Sequence, residues 1–272
     1  MKKMNKTTLI SVLLLIACHG KSLAQTHIDS AKTTTSIFTL DAGFGSLRDT
    51  YISPITYDGY HQRVAYENIH SGSESRWTRV LEAGIDYEFT HNPAGNHTMH
   101  ALLADFKWAR MRHLQWHPWQ KLTVMAGPMA QFRGGILYNP NNSNNVVSAR
   151  IHLAAGAGAM ASYHTTLKRK KLAVAYEMTL PVIGAFFSPE YDEAYYEIYV
   201  GNRKNLAHFA WWGTRFDITN YLYADYQLGR NTVMRIGYRN RIEHSSVCHI
   251  TTRSISHALV IGFGCNLSSP RH

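Results

Sequence analysis

From Val147 to Tyr163 the chain alternates with a period of two, and few folds can use an alternation that long. Val147, Ala149, Ile151, Leu153, Ala155, Ala157, Ala159, Ala161 and Tyr163 share one parity. Ser148, Arg150, His152, Gly156, Gly158 and Ser162 share the other, with Ala154 and Met160 as apolar exceptions. A strand in a soluble protein is about five or six residues long, so a soluble sheet has no use for an apolar face of this reach. A tilted strand crosses hydrocarbon in about 9–11 residues, one face in lipid and the other in a polar lumen.

The same pattern recurs along the chain. Strands are expected at Ile37–Ser46, Tyr60–Asn68, Trp77–Phe89, Leu102–Trp108, Leu122–Ile136, Val147–Tyr163, Leu172–Val182, Thr214–Leu228, Met234–Arg241 and Ile255–Leu267. Pro128 falls on an outward position, where its missing N–H predicts a bulge. The expected fold is all-β: an antiparallel transmembrane β-barrel over residues 36–267, of about ten strands with eight to twelve allowed. A soluble two-sheet sandwich also alternates, but its polar face would be solvated. Here the polar face combines charges with glycines, which suits a crowded lumen.

The ends of the chain agree with export. Lys2, Lys3 and Lys6 precede an apolar run from Leu9 to Ala17 and a small-x-small site, Ser22-Leu23-Ala24, so residues 1–24 read as a signal peptide. Cys18, after Leu15-Ile16-Ala17, offers lipidation as a rival processing event. Residues 25–35 read as a periplasmic lead and 268–272 as a tail. With the lead in the periplasm, the connections 47–59, 90–97, 139–146, 186–213 and 244–253 fall outside, while Ser71–Ser75, Leu167–Lys171 and Gly229–Asn231 fall inside as short turns. A longer inner connection, His113 to Gln120, has Trp116 and Trp119 for an interfacial girdle.

The inward parity contains both signs. Asp41, Glu67, Glu82, Asp86, Glu88, Asp105, Glu177, Asp217 and Asp225 stand against Arg63, Lys107, Arg133, Arg150, Arg215, Arg235, Arg239 and Arg241. A bore of about ten strands is little wider than side chains can fill, so these charges should pair and close it. That argues against a general porin. The formal net charge of +10 includes four lysines of the signal segment, and the remaining basic residues are spread over many strands. A nucleic-acid partner, which wants one basic face, is not expected.

Candidate chemistry is sparse. The loops Ser53–Gly59 and Ser188–Glu197 are acidic and rich in tyrosine, fit either for a surface ligand or for capping the barrel mouth. His97 and His100 point to opposite faces of one strand, so no metal site is assigned. Ser162 and His164 share the inward parity near the inner end, the wrong place for a hydrolase in the outer rim. Cys248 and Cys265 lie too far apart along one extended segment for a disulfide. No catalytic, cofactor-binding or metal-binding residue is assigned.

The segments Thr50–Gly59 (TYISPITYDG) and Ser188–Tyr199 (SPEYDEAYYEIY), with cleavage between Ala24 and Gln25, resemble a family of small uncharacterised outer-membrane barrels from Bacteroidota. The resemblance implies location and architecture and no reaction. The expected protein is a non-enzymatic outer-membrane barrel with a structural or surface-interaction role. The alternatives are a barrel hydrolase acting on lipid or peptide at the external rim and a narrow solute channel. Its expected partners are outer-membrane lipid and lipopolysaccharide, the barrel-assembly machinery and an unidentified extracellular ligand.

Overall fold

A computed structural model describes residues 32–72, 76–114, 121–143, 145–191, 194–201 and 205–269. The signal segment, its cleavage site, Cys18, Trp116 and Trp119 lie outside the described residues. Eleven strands follow in chain order: β1 (Lys32–Asp49), β2 (Ser53–Ser71), β3 (Trp77–His91), β4 (Thr98–His113), β5 (Leu122–Tyr138), β6 (Val147–Leu167), β7 (Lys170–Phe187), β8 (Ala207–Ala210), β9 (Arg215–Gln227), β10 (Thr232–Val247) and β11 (Ile250–Ser269). Among the described residues one short helix, α1 (Tyr195–Val200), lies between β7 and β8.

Apart from β8 and β9, every sequential neighbour pairs antiparallel. β1 meets β11 (Phe38 opposite Phe263) and β6 meets β7, so the sheet closes on itself. Both β8 and β9 pair with β7, at Ala210 opposite Gly184 and Thr219 opposite Thr179. They are two halves of one barrel strand, interrupted where 211–214 bulge out and the N–H groups of Thr214 and Arg215 both donate to the carbonyl of Trp211. The wall therefore has ten strands. The hydrogen-bonded row through Phe44 reaches Val147 on β6 by way of β2 to β5, and Ala159 on β6 by way of β11, β10, β9 and β7. That stagger tilts the strands as closure requires.

The two faces separate as the alternation predicts. Phe38, Phe44 and Leu259 are about two-thirds exposed on the outside, where Leu40, Val64, Ile85, Phe106, Phe132, Leu153, Ile236 and Ile261 add to an apolar belt. No soluble surface of this kind is expected, because contiguous exposed apolar patches of this extent mark lipid or a partner. Ala154 and Met160, the exceptions within β6, are both buried inside.

The interior is filled in layers. At mid-height, Arg63 reaches Asp105 (2.6 Å), Glu82 (2.7 Å) and Asp86 (3.4 Å). Lys107 bridges Glu82 (2.6 Å) and Glu177 (2.7 Å). Arg239 holds Asp41 and Glu67 at 2.9 Å and also pairs with Glu82, while Arg235 pairs with Glu67 and Asp225. Arg235 and Arg239 stack on Tyr223 (3.7 Å) and Tyr221 (4.1 Å). Gly84 is explained here: a Cβ at this position would stand 2.1 Å from the pinned Arg63 guanidinium. Below this waist lies an apolar layer of Val80, Ala109, Met111, Met125, Met129 and Met160. Above it, Leu47, Tyr51, Tyr57, Met99, Leu103, Leu137 and Ile250 form a second.

Several expectations about connections are corrected. Residues 47–59 and 244–253 are mostly strand: β1 and β2 are joined by 50–52, and β10 and β11 by Cys248 and His249, both with positive φ as a two-residue hairpin of this twist requires. Proline and tyrosine in Ser53–Gly59 mimic a loop, but Tyr57 and Ser53 are buried by the mouth layer, and that burial extends the strand. Pro128 makes no bulge. Its register with β6 is unbroken, and it interrupts only the ladder to β4, so one lost N–H is absorbed without a shift. The bulge occurs in β7 instead, beside Pro181. Residues 186–213 are not one loop, since they contain α1 and β8. Long connections at the mouth therefore reduce to 188–206.

Candidate functional site

The mouth end has the features a site could use. Residues 188–191, 194–201 and 205–206 form a lid at the opening, with Tyr195 packed on the apolar mouth layer and the Ser188 N–H donating to the Leu206 carbonyl. Glu197 accepts the Ala194 N–H (3.1 Å) in the first turn of α1, and Gly201, at φ 123°, ends the helix. Tyr195 is the anchor. Its ring packs edge-on to Tyr51 (5.6 Å between centroids) and stacks on Phe187 (6.4 Å), and its hydroxyl accepts the Ala149 N–H (2.5 Å). That N–H is available because β6 outruns β7: their pairing begins at His152 opposite Phe186. Burial pushes the Tyr195 hydroxyl above its ordinary pKa, with the Ala149 bond pulling the other way, so it stays protonated. Tyr195→Phe should remove about 1 kcal/mol and speed amide exchange at Ala149 and through the lid. Unchanged protection at Ala149 would show that the hydroxyl does not hold the lid.

Beneath the lid is a cavity of about 40 Å³, lined in part by Ser148, Ser188 and Ile250. Its floor is ionic. Arg133 holds Glu243 at 2.9 Å, Arg215 holds Asp217 at 2.8 Å, and Arg150 holds Asp49 at 3.1 Å. His152 Nδ1 lies 3.1 Å from Asp217 Oδ2, off the hydrogen-bonding direction, and Nδ1 and Asp217 Oδ1 have no hydrogen-bond partner among the described residues. A buried water needs roughly 10–15 Å³ and two to four polar partners, and this cavity has the room and the polar lining for one. A second cavity of about 30 Å³ lies under the floor, against Asp105, Thr179, Thr219 and Arg241. Arg133 and Glu243 border both.

The geometry brings together residues that the alternation named separately, Arg133, Arg150, Arg215 and Asp217, and adds three that it did not: Asp49, His152 as the partner of Asp217, and Glu243. Asp49 was hidden in a stretch that reads as loop. Glu243 simply continues the inward parity of Arg235, Gly237, Arg239 and Arg241. His152 with Asp217 is half of a nucleophilic site, a base beside an orienting carboxylate. No hydroxyl is hydrogen-bonded to His152 among the described residues, and the Ser162–His164 hydrogen bond (3.2 Å) lies at the other end of β6. Of the two tyrosine-rich segments, Ser188–Glu197 forms the lid and Ser53–Gly59 the strand under it, with Asp192 and Glu193 outside the described residues. Among the described residues no three His, Cys, Asp or Glu side chains converge as a metal ion would need. Cys248 and Cys265 are free thiols.

A family model described as "Protein of unknown function (DUF3316)" matches residues 8–271. No curated protein matches the sequence. Among solved structures, the chain is similar to the outer membrane protease OmpT from Escherichia coli, at 9% identity and a TM-score of 0.46 over 90% of this chain and 99% of that one. It is also similar to the transport unit of the autotransporter AIDA-I from Escherichia coli (5% identity, TM-score 0.41, 96% of this chain and 97% of that one). A third likeness is to an outer membrane channel from Pseudomonas putida (8%, 0.34, 90% and 100%). Likeness at this level transfers neither site nor activity.

Proposed function

Because the chain belongs to the DUF3316 family of proteins of unknown function, kinship brings no activity with it, and we propose from its geometry a sealed, non-enzymatic barrel of the bacterial outer membrane whose lidded mouth is the surface it presents. The carrying observation is the ionic waist between two apolar layers. Salt bridges span the lumen between strands that are not neighbours, from β2 to β10 (Glu67 with Arg235 and Arg239) and from β5 to β10 (Arg133 with Glu243). A hydrated ion would have to break several of them and then cross the methionine layer.

The outward belt supports lipid as the surrounding medium, and the basic, apolar and small-residue order of residues 1–24 supports export. Lipopolysaccharide around the mouth and the barrel-assembly machinery follow as partners of that location. The tyrosine-rich lid is the surface open to an extracellular ligand.

The test is electrical. Purified barrel in a planar bilayer should add no steady conductance above that of the bare membrane. Stepwise openings of a reproducible size would instead make it a narrow channel. One observation favours the hydrolase alternative, the His152–Asp217 pair in the mouth. Turnover of lipid or peptide that disappears in His152→Ala would establish that reading.

A further inference from the structure

The lipid-facing wall is not uniform. On β7, β9, β10 and β11 a chain of polar side chains runs across the outside of the barrel. Tyr176 donates to Asn220 (2.7 Å), Asn220 to Asn240 (3.4 Å), and Asn240 to the Ser256 carbonyl (3.0 Å) and to His257 Nδ1 (3.3 Å). The Tyr238 hydroxyl lies 2.6 Å from the same His257 nitrogen. Asn240 sits at the centre of β10, and Tyr176 and His257 lie within three residues of the middle of β7 and β11. The next outward row towards the mouth is Ile218, Ile242 and Ile255, and the next towards the base is Leu222, Tyr238 and Leu259. The polar chain is therefore enclosed by the apolar belt, away from both edges where lipid headgroups lie.

Hydrocarbon offers no hydrogen bonds, so each polar group facing it is costly. Across the barrel, Leu40, Val64, Ile85 and Phe106 occupy the corresponding heights, Gln62 lies between Ala42 and Tyr87, and the outward hydrogen bonds of Tyr87 with His100 and of Tyr66 and Asn68 with Ser36 reach towards the two edges of the belt. From this asymmetry we infer that the wall of β7, β9, β10 and β11 is an in-membrane interface between two copies of this chain. The inference rests on the reading that the belt faces lipid.

A second copy suits the chemistry. An amide both donates and accepts, and an imidazole does too. Asn220, Asn240 and His257 can thus meet their own symmetry mates, as a two-fold interface demands. The neighbouring strand β6 shows only Ala155, Ala157, Ala159 and Ala161 on its outer face at this height, a flat surface that lets two walls approach closely. Four strands at about 4.8 Å spacing give a face about 20 Å wide, which over an apolar band about 25 Å tall projects to about 500 Å², and the flat outer face of β6 extends it towards the roughly 800 Å² per partner of a stable interface.

The experiment uses the full chain in the membranes of producing cells. In a Cys248→Ser/Cys265→Ser background, Asn240→Cys and, on the far wall, Ile85→Cys are treated with a short bis-maleimide. A band of twice the chain mass from Asn240→Cys and none from Ile85→Cys is the expected result. The triple variant Asn220→Leu/Asn240→Leu/His257→Leu, folded by its heat-dependent gel shift, should lose the dimer in mild detergent. Absence of the double-mass band from a folded Asn240→Cys barrel, equal bands at both positions, an adduct of another mass, or a dimer that survives the triple substitution would each overturn the inference. Recovery of the chain in the soluble fraction would overturn the membrane reading itself, and with it this proposal.

Discussion

Arg63→Ala should cost about 3–5 kcal/mol of stability, because it removes the cation shared by four buried carboxylates and leaves that cluster with an uncompensated negative charge. The Arg63 side chain is fully buried and touches four carboxylates: Asp105 at 2.6 Å, Glu82 at 2.7 Å, Asp86 at 3.4 Å and Asp41 at 3.9 Å. Arg133, Arg239, Arg241 and Lys107 remain nearby but are already committed to the same acids. Arg63→Lys should recover part of the loss, since a single ammonium cannot reproduce the guanidinium fork. The measurement is the urea midpoint of unfolding in lipid vesicles, read by the heat-dependent gel shift. An Arg63→Ala barrel with an unchanged midpoint would mean that water, and not ion pairing, fills the waist.

Leu40→Arg should be nearly as damaging, for a reason that only a membrane supplies. Leu40 is 57% exposed near the middle of β1. On a soluble surface such a change is worth within about 0.5 kcal/mol. At the bilayer midplane, a lipid-facing arginine on a barrel strand costs about 2–4 kcal/mol. The same vesicle titration, with Arg48→Ala at the mouth rim as a mild control, separates the two environments. If Leu40→Arg matches the control, the belt does not face hydrocarbon.

These two variants sit on opposite faces of neighbouring strands, and the alternation identified both faces correctly. It did so wherever the strands stand clear of turns: Phe38 and Leu40 outside against Thr39 and Asp41 inside on β1, and Ile236 and Tyr238 against Arg235 and Arg239 on β10. It failed where turn-forming composition overlies strand. Ser53-Pro54, Asp58-Gly59 and the polar run around Cys248 read as loops, yet the mouth layer buries Ser53, Tyr57 and Ile250 and draws the backbone into the ladder. Asp49 was lost with them. Proline misled once, at Pro128, because an isolated missing N–H is cheap when the other edge of the strand stays paired.

By itself the sequence determined the architecture: a period of two is a local property, and it states which side chains face outward and which meet the lumen before any strand has found its neighbour. It also stated that the lumen would be ionic and crowded. What only the tertiary structure decided is which charges meet. The pairs Arg235–Glu67, Arg239–Glu82 and Arg133–Glu243 join residues more than a hundred positions apart. The lid seated on Ala149 by Tyr195, the broken strand β8–β9 and the polar chain from Tyr176 to His257 belong to the same class. All depend on closure and stagger, because a shift of register carries each inward residue to a different height without altering the alternation that the sequence displays.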